Sequence, residues 1–330
     1  MKIAIIGSGS FGTSIAIHLS NNAKTISIWG NDSKTIDEIN NNRTNSLYLK
    51  NVDNIPSNIT ATINMEESID KAKYIILAVP SQAIRSVSKQ LKPLLSSEQI
   101  IVNLAKGLDL STHERLSTVI KKETGFKNIV VLSGPSHAEE IVFNIPTTIV
   151  ASSRKLELAE EVQADLSTHT LRIYTNPDIV GVEIGGAAKN IIALASGILD
   201  GLGYGDNAKA ALMVRGINEI INVGVHLGGD FRTFNGLSGM GDLIVTCTSM
   251  HSRNKQAGIH LASGKSLKET LKLVGMTVEG INACECFYKI AKDINIEMPI
   301  TFALYNVLFN NSNPKNEIRA LLSRDRRSEF

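Results

Sequence analysis

The stretch GSGSFGT near the start of the chain has the residue types and spacing of a phosphate-binding loop. Gly7, Gly9 and Gly12 follow the apolar, strand-length run Lys2–Ile6 and precede the helical pattern Ser14–Leu19. One interpretation is a tight strand-to-helix turn that needs glycine for its backbone conformation and close packing. The other is a site where the glycines let a pyrophosphate approach the backbone at the helix N-terminus. The position between a strand and a helix favours nucleotide binding.

A lysine inside an apolar helical segment has the chemistry of a proton acceptor. Lys189 lies in EIGGAAKNIIALASG, among small and apolar residues. In one interpretation its aliphatic stem carries the amine out to solvent. In the other the amine is buried, and desolvation and a second cation lower its pKa from about 10.4, so that it accepts a proton near neutral pH. Lys106, which follows a predicted strand, is the second cation we expect; a solvated loop lysine is the ordinary alternative.

Three further segments place polar side chains beside turns. GPSH, at residues 134–137, follows a predicted strand at the edge where the ligand loops of an α/β sheet lie. Asp242 follows a glycine turn in LSGMGDL. Ser252, Arg253 and Asn254 precede a helical pattern, where a cap, free N–H groups and an arginine would hold a phosphate. A capped helix with an exposed arginine fits this last segment equally well.

The runs around these residues predict two structural halves. Strands alternate with helices up to Asp178, which is typical of an α/β, Rossmann-like doubly wound sheet, and helical periodicity dominates afterwards. We predict a dinucleotide-binding domain at residues 1–185 and an all-α substrate and catalytic domain at residues 186–330. The predicted strands are Lys2–Ile6, Thr25–Trp29, Ile59–Thr62, Tyr74–Val79, Gln99–Leu104, Ile129–Ser133, Thr147–Ala151 and Leu171–Tyr174.

Helical patterns fill most of the remaining sequence. At the junction of the two halves, the small residues 185–188 would let neighbouring backbones come close. The predicted helices of the first half are Ser14–Leu19, Lys34–Asn42, Ala83–Leu95, Thr112–Lys122, a turn from Ala138, and Leu156–Leu166. Those of the second half are Val180–Leu202, Asn207–His226, Asn254–Ser263, Ser266–Leu273, Asn282–Asp293 and Thr301–Phe309.

Composition argues against several other classes of protein. A net charge of +2 is too small to indicate nucleic-acid binding, and we expect the basic tail at residues 323–327 to be solvated. No apolar stretch looks long and uninterrupted enough for a membrane span, and the N-terminus lacks the features of a signal peptide, so we expect a cytoplasmic protein. Cys247, Cys284 and Cys286 are odd in number and lack paired spacing. We therefore expect buried or free thiols, and no metal site.

A series of motifs covers nearly the whole chain: GSGSFGT, AVPSQAIR, NLAKGL, VLSGPSHAEEI, the long block GVEIGGAAKNIIALASGILDGLGYGDNAKAALMVRG, LSGMGDL, SRN and TVEG. In this order and at roughly these spacings, the motifs resemble those of bacterial NAD(P)-dependent sn-glycerol-3-phosphate dehydrogenase. The long block is more specific than the glycine loop, because other dehydrogenases with the same two-domain plan do not share it.

The resemblance implies a set of site residues and NAD or NADP as cofactor. It makes Lys189 the proton acceptor, and it makes Lys106 a contact of both cofactor and substrate. The other implied substrate contacts are Gly134, Ser136, Asp242, Ser252, Arg253 and Asn254. Beside the loop glycines Gly7, Gly9 and Gly12, the implied cofactor contacts are Ser10, Phe11, Asn31, Ala138, Arg253, Thr277 and Glu279.

Two positions depart from the family's usual pattern. Asn31 stands where the family commonly has an arginine or histidine able to meet a 2′-phosphate, and no acidic residue ends the second strand, although Asp32 follows closely. The choice between NAD and NADP is therefore open. Thr277 replaces a valine, which matters little if the contact is made through the backbone.

The implied reaction is hydride transfer between C2 of sn-glycerol 3-phosphate and C4 of the nicotinamide, which interconverts this small molecule with dihydroxyacetone phosphate and supplies phospholipid synthesis. The sequence is compatible with a homodimer. One alternative is a related β-hydroxyacid or 6-phosphogluconate-type dehydrogenase, and another is a non-catalytic dinucleotide sensor. The joint presence of Lys106, Lys189, Asp242 and Arg253 argues against the sensor, because binding alone needs no proton acceptor.

Overall fold

A computed structural model of the protein describes residues 1–325 and residue 328. Within this part of the chain, eight strands form one sheet in the order β3-β2-β1-β4-β5-β6-β7-β8. The pairing is parallel except between β6 and β7, which are antiparallel. The strands are β1 Lys2–Ile6, β2 Thr25–Trp29, β3 Ile59–Thr62, β4 Tyr74–Leu77, β5 Ile100–Asn103, β6 Ile129–Ser133, β7 Thr147–Ser152 and β8 Leu171–Asn176.

The helices divide between the faces of the sheet and a separate helical half. Those of the first half are α1 Ser10–Leu19, α2 Ser33–Asp37, α3 Met65–Ile69, α4 Ile84–Leu91, α5 Leu116–Thr124, α6 Ala138–Ile141 and α7 Leu156–Leu166. Those of the second half are α8 Ile179–Gly201, α9 Asp206–His226, α10 Phe231–Phe234, α11 Asp242–Thr248, α12 Arg253–Ala262, α13 Leu267–Val274, α14 Glu279–Asp293, α15 Pro299–Phe309 and α16 Pro314–Leu322.

The central strands are buried on both faces of the sheet, which explains why they are almost continuously apolar. Alternate side chains of β1 enter different cores: Ile3 and Ile5 join the core that includes α1 and α7, whereas Ala4 and Ile6 join the core under α3, α4 and α5. The first six strands follow the classic order of a dinucleotide-binding sheet, with its topological switch between β1 and β4. The predicted doubly wound sheet followed by a helical half is confirmed.

Several predicted elements differ from the structure in detail. The predicted helix Lys34–Asn42 is α2 followed by a π-helical turn at Glu38–Asn42, which ends at Arg43 with a φ of 59°. The predicted helix Ala83–Leu95 is broken, because 3-10 turns at Ser81–Ala83 and Lys92–Leu94 flank α4. The prediction for residues 112–122 started too early, since α5 begins at Leu116. The sequence patterns gave no sign of the short helices α3, α10 and α11, nor of α16 or the antiparallel pairing of β7.

Helix α8 is the core of the helical half. Its length and hydropathy are those of a membrane-crossing helix, which corrects the expectation that no such stretch exists, but 89% of its apolar window is buried inside the protein. It packs against α9, α11, α12 and α14. Glycines allow the closest approach: a Cβ at Gly197 would collide with the carbonyl of Lys255, and one at Gly258 with the carbonyl of Leu194. The start of α12 is thereby fixed against α8.

The predicted domain boundary at residues 185 and 186 falls inside α8, so the division there stays a prediction. Glu183, at the sheet end of this helix, ties the two halves together. Its carboxylate accepts hydrogen bonds from Ser117 N at 2.8 Å and Ser117 Oγ at 2.6 Å, and it pairs with Arg115 at 2.6 Å. The three cysteines are free and buried, as predicted. The predicted basic tail includes Arg326 and Arg327, which lie outside the described residues.

A buried carboxyl joins two helices of the helical half. Glu219 on α9 is 6% exposed and accepts hydrogen bonds at the start of α15 from Ile300 N at 2.6 Å, Thr301 N at 3.3 Å and Thr301 Oγ1 at 3.2 Å. Burial raises the pKa of this carboxyl to about 7, although the three hydrogen bonds act in the opposite direction. The group therefore titrates in the physiological range.

We expect Glu219 to make folding stability depend on pH. Because its folded-state pKa lies above the ordinary value of 4.5, its contribution to stability is full below that pH and is lost as the pH rises through about 7. Relative to Glu219→Gln, the free energy of unfolding should fall by on the order of 3 kcal/mol between about pH 4.5 and 7.5. Urea unfolding at a series of pH values measures this difference.

The control is Glu160→Gln, which removes an exposed carboxylate from α7. It should keep the pH dependence of the wild type. Parallel stability curves for the wild type and Glu219→Gln would contradict the expectation.

Candidate active site

The three glycines of the loop have different structural surroundings. Gly7 has a φ of +127°, and a Cβ there would collide with the carbonyl of Ala78. A Cβ at Gly12 would collide with the carbonyl of Gly7. Gly9 has an ordinary φ of −75°, and apart from its own local backbone no atom of the described residues lies within 4 Å of the position of its Cβ. The turn itself therefore requires Gly7 and Gly12, whereas Gly9 keeps open a space that the protein does not fill.

That open space lies at the N-terminus of α1. Gly9 is the N-cap residue, and the described part of the chain supplies no side-chain cap for this helix. Ser10 and Phe11 form its first turn. Free N–H groups and the positive end of a helix dipole beside an unfilled space suit a pyrophosphate. The residues present therefore fit a dinucleotide here.

The segment after β2 bears on the ribose end of a dinucleotide. The carboxylate of Asp32 caps α2, where it accepts hydrogen bonds from Lys34 N, Thr35 N and Thr35 Oγ1, the last at 2.6 Å. Asn31 is exposed beside it. Because capping engages Asp32, the uncharged Asn31 is the side chain of this segment that is directly available at the end of the strand.

A buried carboxylate between two lysines lies at the carboxyl edge of the sheet. Asp242, 1% exposed, pairs through Oδ2 with Lys106 at 2.7 Å and through Oδ1 with Lys189 at 2.8 Å. Lys189 also donates to Thr246 Oγ1 at 2.7 Å. Lys106 extends from the loop after β5, whereas Lys189 lies on α8 and Asp242 begins α11. We call Lys106, Asp242 and Lys189 the charged cluster.

The loop after β6 contributes to the same place. Lys106 donates to the carbonyl of Gly134 at 2.7 Å and to Ser136 Oγ at 3.2 Å. Gly134 adopts a φ of +129°, a conformation that favours glycine. Ala138 begins α6 two residues after Ser136. The predicted substrate contacts Lys106, Gly134 and Ser136 are thus neighbours in the structure.

The electrostatics of the charged cluster set the protonation of Lys189. Burial and the nearby Lys106 lower the pKa of Lys189 to about 8, although Asp242 opposes the shift. Burial alone would raise the pKa of Asp242, but Lys106 and Lys189 hold it below its ordinary range. The arrangement is therefore an ionised carboxylate between two amines, one of which exchanges a proton near neutral pH. Of the two interpretations of Lys189 that the sequence left open, the structure supports the buried amine near a second cation.

The segment before Asp242 shows why the cluster can form. Leu237–Gly241 is a π-helical turn that leads directly into α11. A Cβ at Gly239 would collide with the backbone of Phe234, and one at Gly185 would lie 3.0 Å from the carbonyl of Ser238. This compact turn packs against α8 and so brings Asp242 to Lys189. The predicted glycine turn exists, but it is part of a helix.

The SRN segment forms the predicted capped helix. Ser252 Oγ accepts a hydrogen bond from Lys255 N at 3.2 Å at the start of α12. Asn254 donates to Asn190 Oδ1 at 2.9 Å and accepts from Gly280 N at 2.8 Å. The Asn254 side chain thus links α12 to α8 and α14, and its predicted substrate contact stays a prediction.

The TVEG segment contacts both halves of the molecule. Arg253 donates to the carbonyl of Thr277 at 3.4 Å, which places two predicted cofactor contacts together. Glu279, the first residue of α14, accepts from Ser81 N at 2.9 Å and from Ser81 Oγ. Ser81 follows β4 at the carboxyl edge of the sheet. The structure therefore gives Glu279 a partner across the two halves, and its contact with a cofactor stays a prediction.

Sequence reasoning missed several residues of this site. The contacts of Thr246 with Lys189, of Asn190 with Asn254 and of Ser81 with Glu279 span 57 or more positions in sequence. Thr246 also contacts Asp242, which is four positions away. Asn190 follows Lys189 in the KN pair, which is the signal that could have suggested it. Nothing in the sequence near Thr246 or Ser81 marked those residues as partners.

The fold and the site together define a class of protein. A doubly wound sheet with an open glycine loop, followed by a helical half that contributes a buried lysine and aspartate to its carboxyl edge, is the architecture of a two-domain NAD(P)-dependent dehydrogenase.

Comparison with known proteins gives the family. Residues 2–159 match the family profile described as NAD-dependent glycerol-3-phosphate dehydrogenase N-terminus, and residues 178–319 match the one described as its C-terminus. The chain belongs to the NAD-dependent glycerol-3-phosphate dehydrogenase family.

Individual relatives agree over the full length. A protein of Clostridium botulinum named glycerol-3-phosphate dehydrogenase (NAD(P)+) is 53% identical over 329 residues, covering 100% of this chain and 99% of the relative. The crystal structure of glycerol-3-phosphate dehydrogenase from Coxiella burnetii is 35% identical with a TM-score of 0.94, covering 98% and 99% of the two chains. The Saccharomyces cerevisiae glycerol-3-phosphate dehydrogenase structure is 26% identical with a TM-score of 0.83, covering 98% and 99%.

We expect Gly9→Val to block cofactor binding without unfolding the protein. The valine side chain would fill the open space at the N-terminus of α1 that the cofactor would occupy. Overpacking such a site costs about 1–3 kcal/mol, so NAD(P)H affinity should fall by roughly tenfold to a hundredfold or more. Quenching of Trp29 measures binding, because Trp29 is the single tryptophan and its carbonyl accepts a hydrogen bond from Gly7 N at 2.9 Å.

Gly205→Val is the matched control. Gly205 is the N-cap of α9 with nearly the same backbone angles as Gly9, and apart from its own local backbone no atom of the described residues lies within 4 Å of its Cβ position. This control should bind NAD(P)H normally. Equal affinities in the two variants would show that the space beside Gly9 is not the cofactor site.

Proposed function

We propose that Lys189 is the proton acceptor and donor of this enzyme, which interconverts sn-glycerol 3-phosphate and dihydroxyacetone phosphate with NAD or NADP. The observation that carries the proposal is the charged cluster: a buried amine with a pKa of about 8, fixed by Asp242 beside a second lysine. A group that titrates near the working pH is suited to general acid–base catalysis.

The proton and the hydride of the substrate pass to two different acceptors. On oxidation the proton of the C2 hydroxyl passes to neutral Lys189 Nζ as the C2–H bond breaks and C2 becomes a carbonyl carbon. The nicotinamide, when bound, accepts the hydride at C4. On reduction Lys189 returns the proton to the carbonyl oxygen. Thr246 and Asp242 hold Nζ in place for both directions, which reduces the entropic cost of proton transfer.

Lys106 supplies positive charge to the same oxygen. It is held by Asp242, by the carbonyl of Gly134 and by Ser136 Oγ, so its ammonium group is oriented before substrate arrives. A preoriented, partly buried cation stabilises the negative charge that develops on the C2 oxygen. Lys106 thus stabilises the transition state, while Lys189 moves the proton.

The substrate phosphate binds at the start of α12. The N-terminus of this ten-residue helix, its cap Ser252 and the guanidinium of Arg253 provide N–H donors and charge. Packing of Gly197 against Gly258 holds the helix to α8, the helix that carries Lys189. The phosphate would therefore fix the position of C2 relative to Lys189.

The alternatives explain less of this arrangement. A dinucleotide sensor has no use for a buried amine with a lowered pKa. A 6-phosphogluconate-type dehydrogenase shares the architecture but not the family to which this chain belongs. We further propose that the enzyme is cytoplasmic, contacts neither nucleic acid nor membrane, and supplies glycerol 3-phosphate for phospholipid synthesis, with a homodimer as its assembly. Both NAD and NADP remain candidates, because Asn31 carries no charge and Asp32 is engaged in capping.

Turnover tests the substrate assignment. The purified protein should oxidise NADH or NADPH when given dihydroxyacetone phosphate, and the absorbance of the reduced cofactor reports the rate. It should show far less turnover in the oxidative direction with 6-phosphogluconate and NAD or NADP. No turnover of dihydroxyacetone phosphate with either cofactor, in a preparation that binds NAD(P)H, would favour the sensor.

Lys189→Met tests the proton step. The variant keeps most of the apolar stem and removes the amine, so kcat should fall by roughly 10²–10⁴-fold while NAD(P)H binding, measured by Trp29 quenching, persists. Lys106→Met is the comparison variant. It should also lower activity, but the titrating amine of Lys189 remains. Because Lys106 lowers the pKa of Lys189 in the wild type, that pKa should rise in Lys106→Met. Near-normal kcat in Lys189→Met would make Lys106 the next candidate.

A further inference from the structure

One buried nitrogen beside the charged cluster has no partner. His137 lies between Ser136 and Ala138, and its Nε2 atom is shielded from solvent without a hydrogen bond to any described residue. A buried polar atom without a partner is costly, and native structures rarely contain one. Each exception calls for an explanation, such as a catalytic role or a contact that a bound group supplies. The sequence analysis noted the GPSH segment, but the resemblance gave His137 no role.

The surroundings of His137 join the two parts of the proposed substrate site. Its neighbour Ser136 accepts a hydrogen bond from Lys106 in the charged cluster. Its ring centroid lies 6.0 Å from that of His251, which immediately precedes Ser252 at the start of α12. His137 therefore lies close both to the groups assigned to the C2 oxygen and to the turn assigned to the phosphate.

The charges around His137 favour its neutral form. Burial lowers the pKa of the imidazole, and Lys189 and Lys106 lower it further, whereas Glu139 and Asp242 act in the opposite direction. A neutral imidazole protonated at Nε2 donates one hydrogen bond from that atom and adds no net charge. Phosphate oxygens are acceptors, so they complement such a donor. The C2 oxygen, by contrast, already has Lys106 and Lys189.

We propose that Nε2–H of His137 donates a hydrogen bond to the phosphate group of the bound substrate and so completes the grip of Ser252 and Arg253. This proposal rests on the proposed function, which places a phosphate at the start of α12. It makes His137 a residue that discriminates phosphorylated from unphosphorylated substrates. The buried Nε2 atom then has its partner whenever substrate is bound.

The test compares dihydroxyacetone phosphate with dihydroxyacetone, which lacks the phosphate. In His137→Phe the ratio of kcat/KM for these two substrates should fall about tenfold to a hundredfold, the usual loss for one hydrogen bond to a charged group. His137→Gln places an amide N–H donor near the position of Nε2 and should recover much of the ratio. Arg253→Ala is the comparison variant, and its ratio should fall in the same way.

Other outcomes overturn the proposal. If the ratio in His137→Phe equals that of the wild type, His137 does not contact the phosphate. Normal turnover of dihydroxyacetone phosphate by the wild type would not change this conclusion. The same conclusion follows if kcat/KM falls equally for both substrates, because His137 would then act at the reacting end. Failure of His137→Gln to recover the ratio, in a variant with wild-type thermal stability, would assign the loss to packing.

Calorimetric titration with inorganic phosphate separates this proposal from the proposed function, because it requires no turnover. The wild type, saturated with NAD(P)H, should bind phosphate more tightly than His137→Phe by a similar factor. Equal affinities would overturn the proposal for His137. If the wild type binds phosphate more tightly than His137→Phe but has no activity on dihydroxyacetone phosphate, the phosphate contact stands and the proposed function fails.

Discussion

The ion pairs of Asp242 with Lys106 and Lys189 are the interaction on which the rest of the site depends. Burying one carboxylate and two amines is costly unless the charges are paired and their remaining hydrogen-bonding positions are filled. Here each carboxylate oxygen takes one amine, Thr246 takes a second bond from Lys189, and Gly134 and Ser136 take those of Lys106. In the proposed mechanism, the excess positive charge prepares the site for an anionic substrate and for charge on the C2 oxygen.

The fold can be understood as the means of bringing these three residues together. Lys106 comes from the carboxyl edge of the sheet, Lys189 from the core helix of the other half, and Asp242 from a helix that follows a π-helical turn. Glu183 and Glu279 tie the helical half to the sheet through Ser117 and Ser81. Close contacts at glycines then set the distances between these elements. The lack of a side chain at Gly185 lets the turn before Asp242 pack on α8, and the lack of one at Gly197 lets α12 approach α8. A small displacement of α8 would disturb both the proposed proton acceptor, Lys189, and the proposed phosphate-binding turn at the start of α12.

Local sequence patterns predicted the features that depend mainly on neighbouring residues, such as strand positions and helix capping. Continuous apolar runs identified the central strands, because a strand buried on both faces has little choice of residue. The predicted bounds of β1, β2, β3 and β6 match the structure. The apolar neighbours of Lys189 suggested a buried amine as one of two interpretations, which its burial supports, and Ser252 was predicted to cap a helix. The order of motifs gave the family, which the comparisons confirm.

Contacts between distant segments were beyond such patterns. LSGMGDL predicts a glycine turn but does not reveal a π-helical entry to α11, because the packing of Gly239 on Phe234 and of Gly185 on Ser238 decides that geometry. The partnership of Ser81 and Glu279 spans 198 positions. Gly9 and Gly12 look alike in sequence, yet Gly9 faces open space whereas a Cβ at Gly12 would collide with the carbonyl of Gly7, a difference that depends on how the loop folds back on itself.

The pH dependence of kcat/KM for oxidation of sn-glycerol 3-phosphate, compared between the wild type and Asp242→Asn, tests the central claim most directly. This parameter reports the ionisation of the free enzyme and substrate, and the substrate's own titration is common to both proteins. The account predicts a limb near pH 8 in the wild type, where Lys189 loses its proton, and a shift of that limb to lower pH in Asp242→Asn, because the carboxylate raises the pKa of Lys189. A limb that stays at the same pH in the variant would contradict the claim that Lys189, held by Asp242, is the proton acceptor.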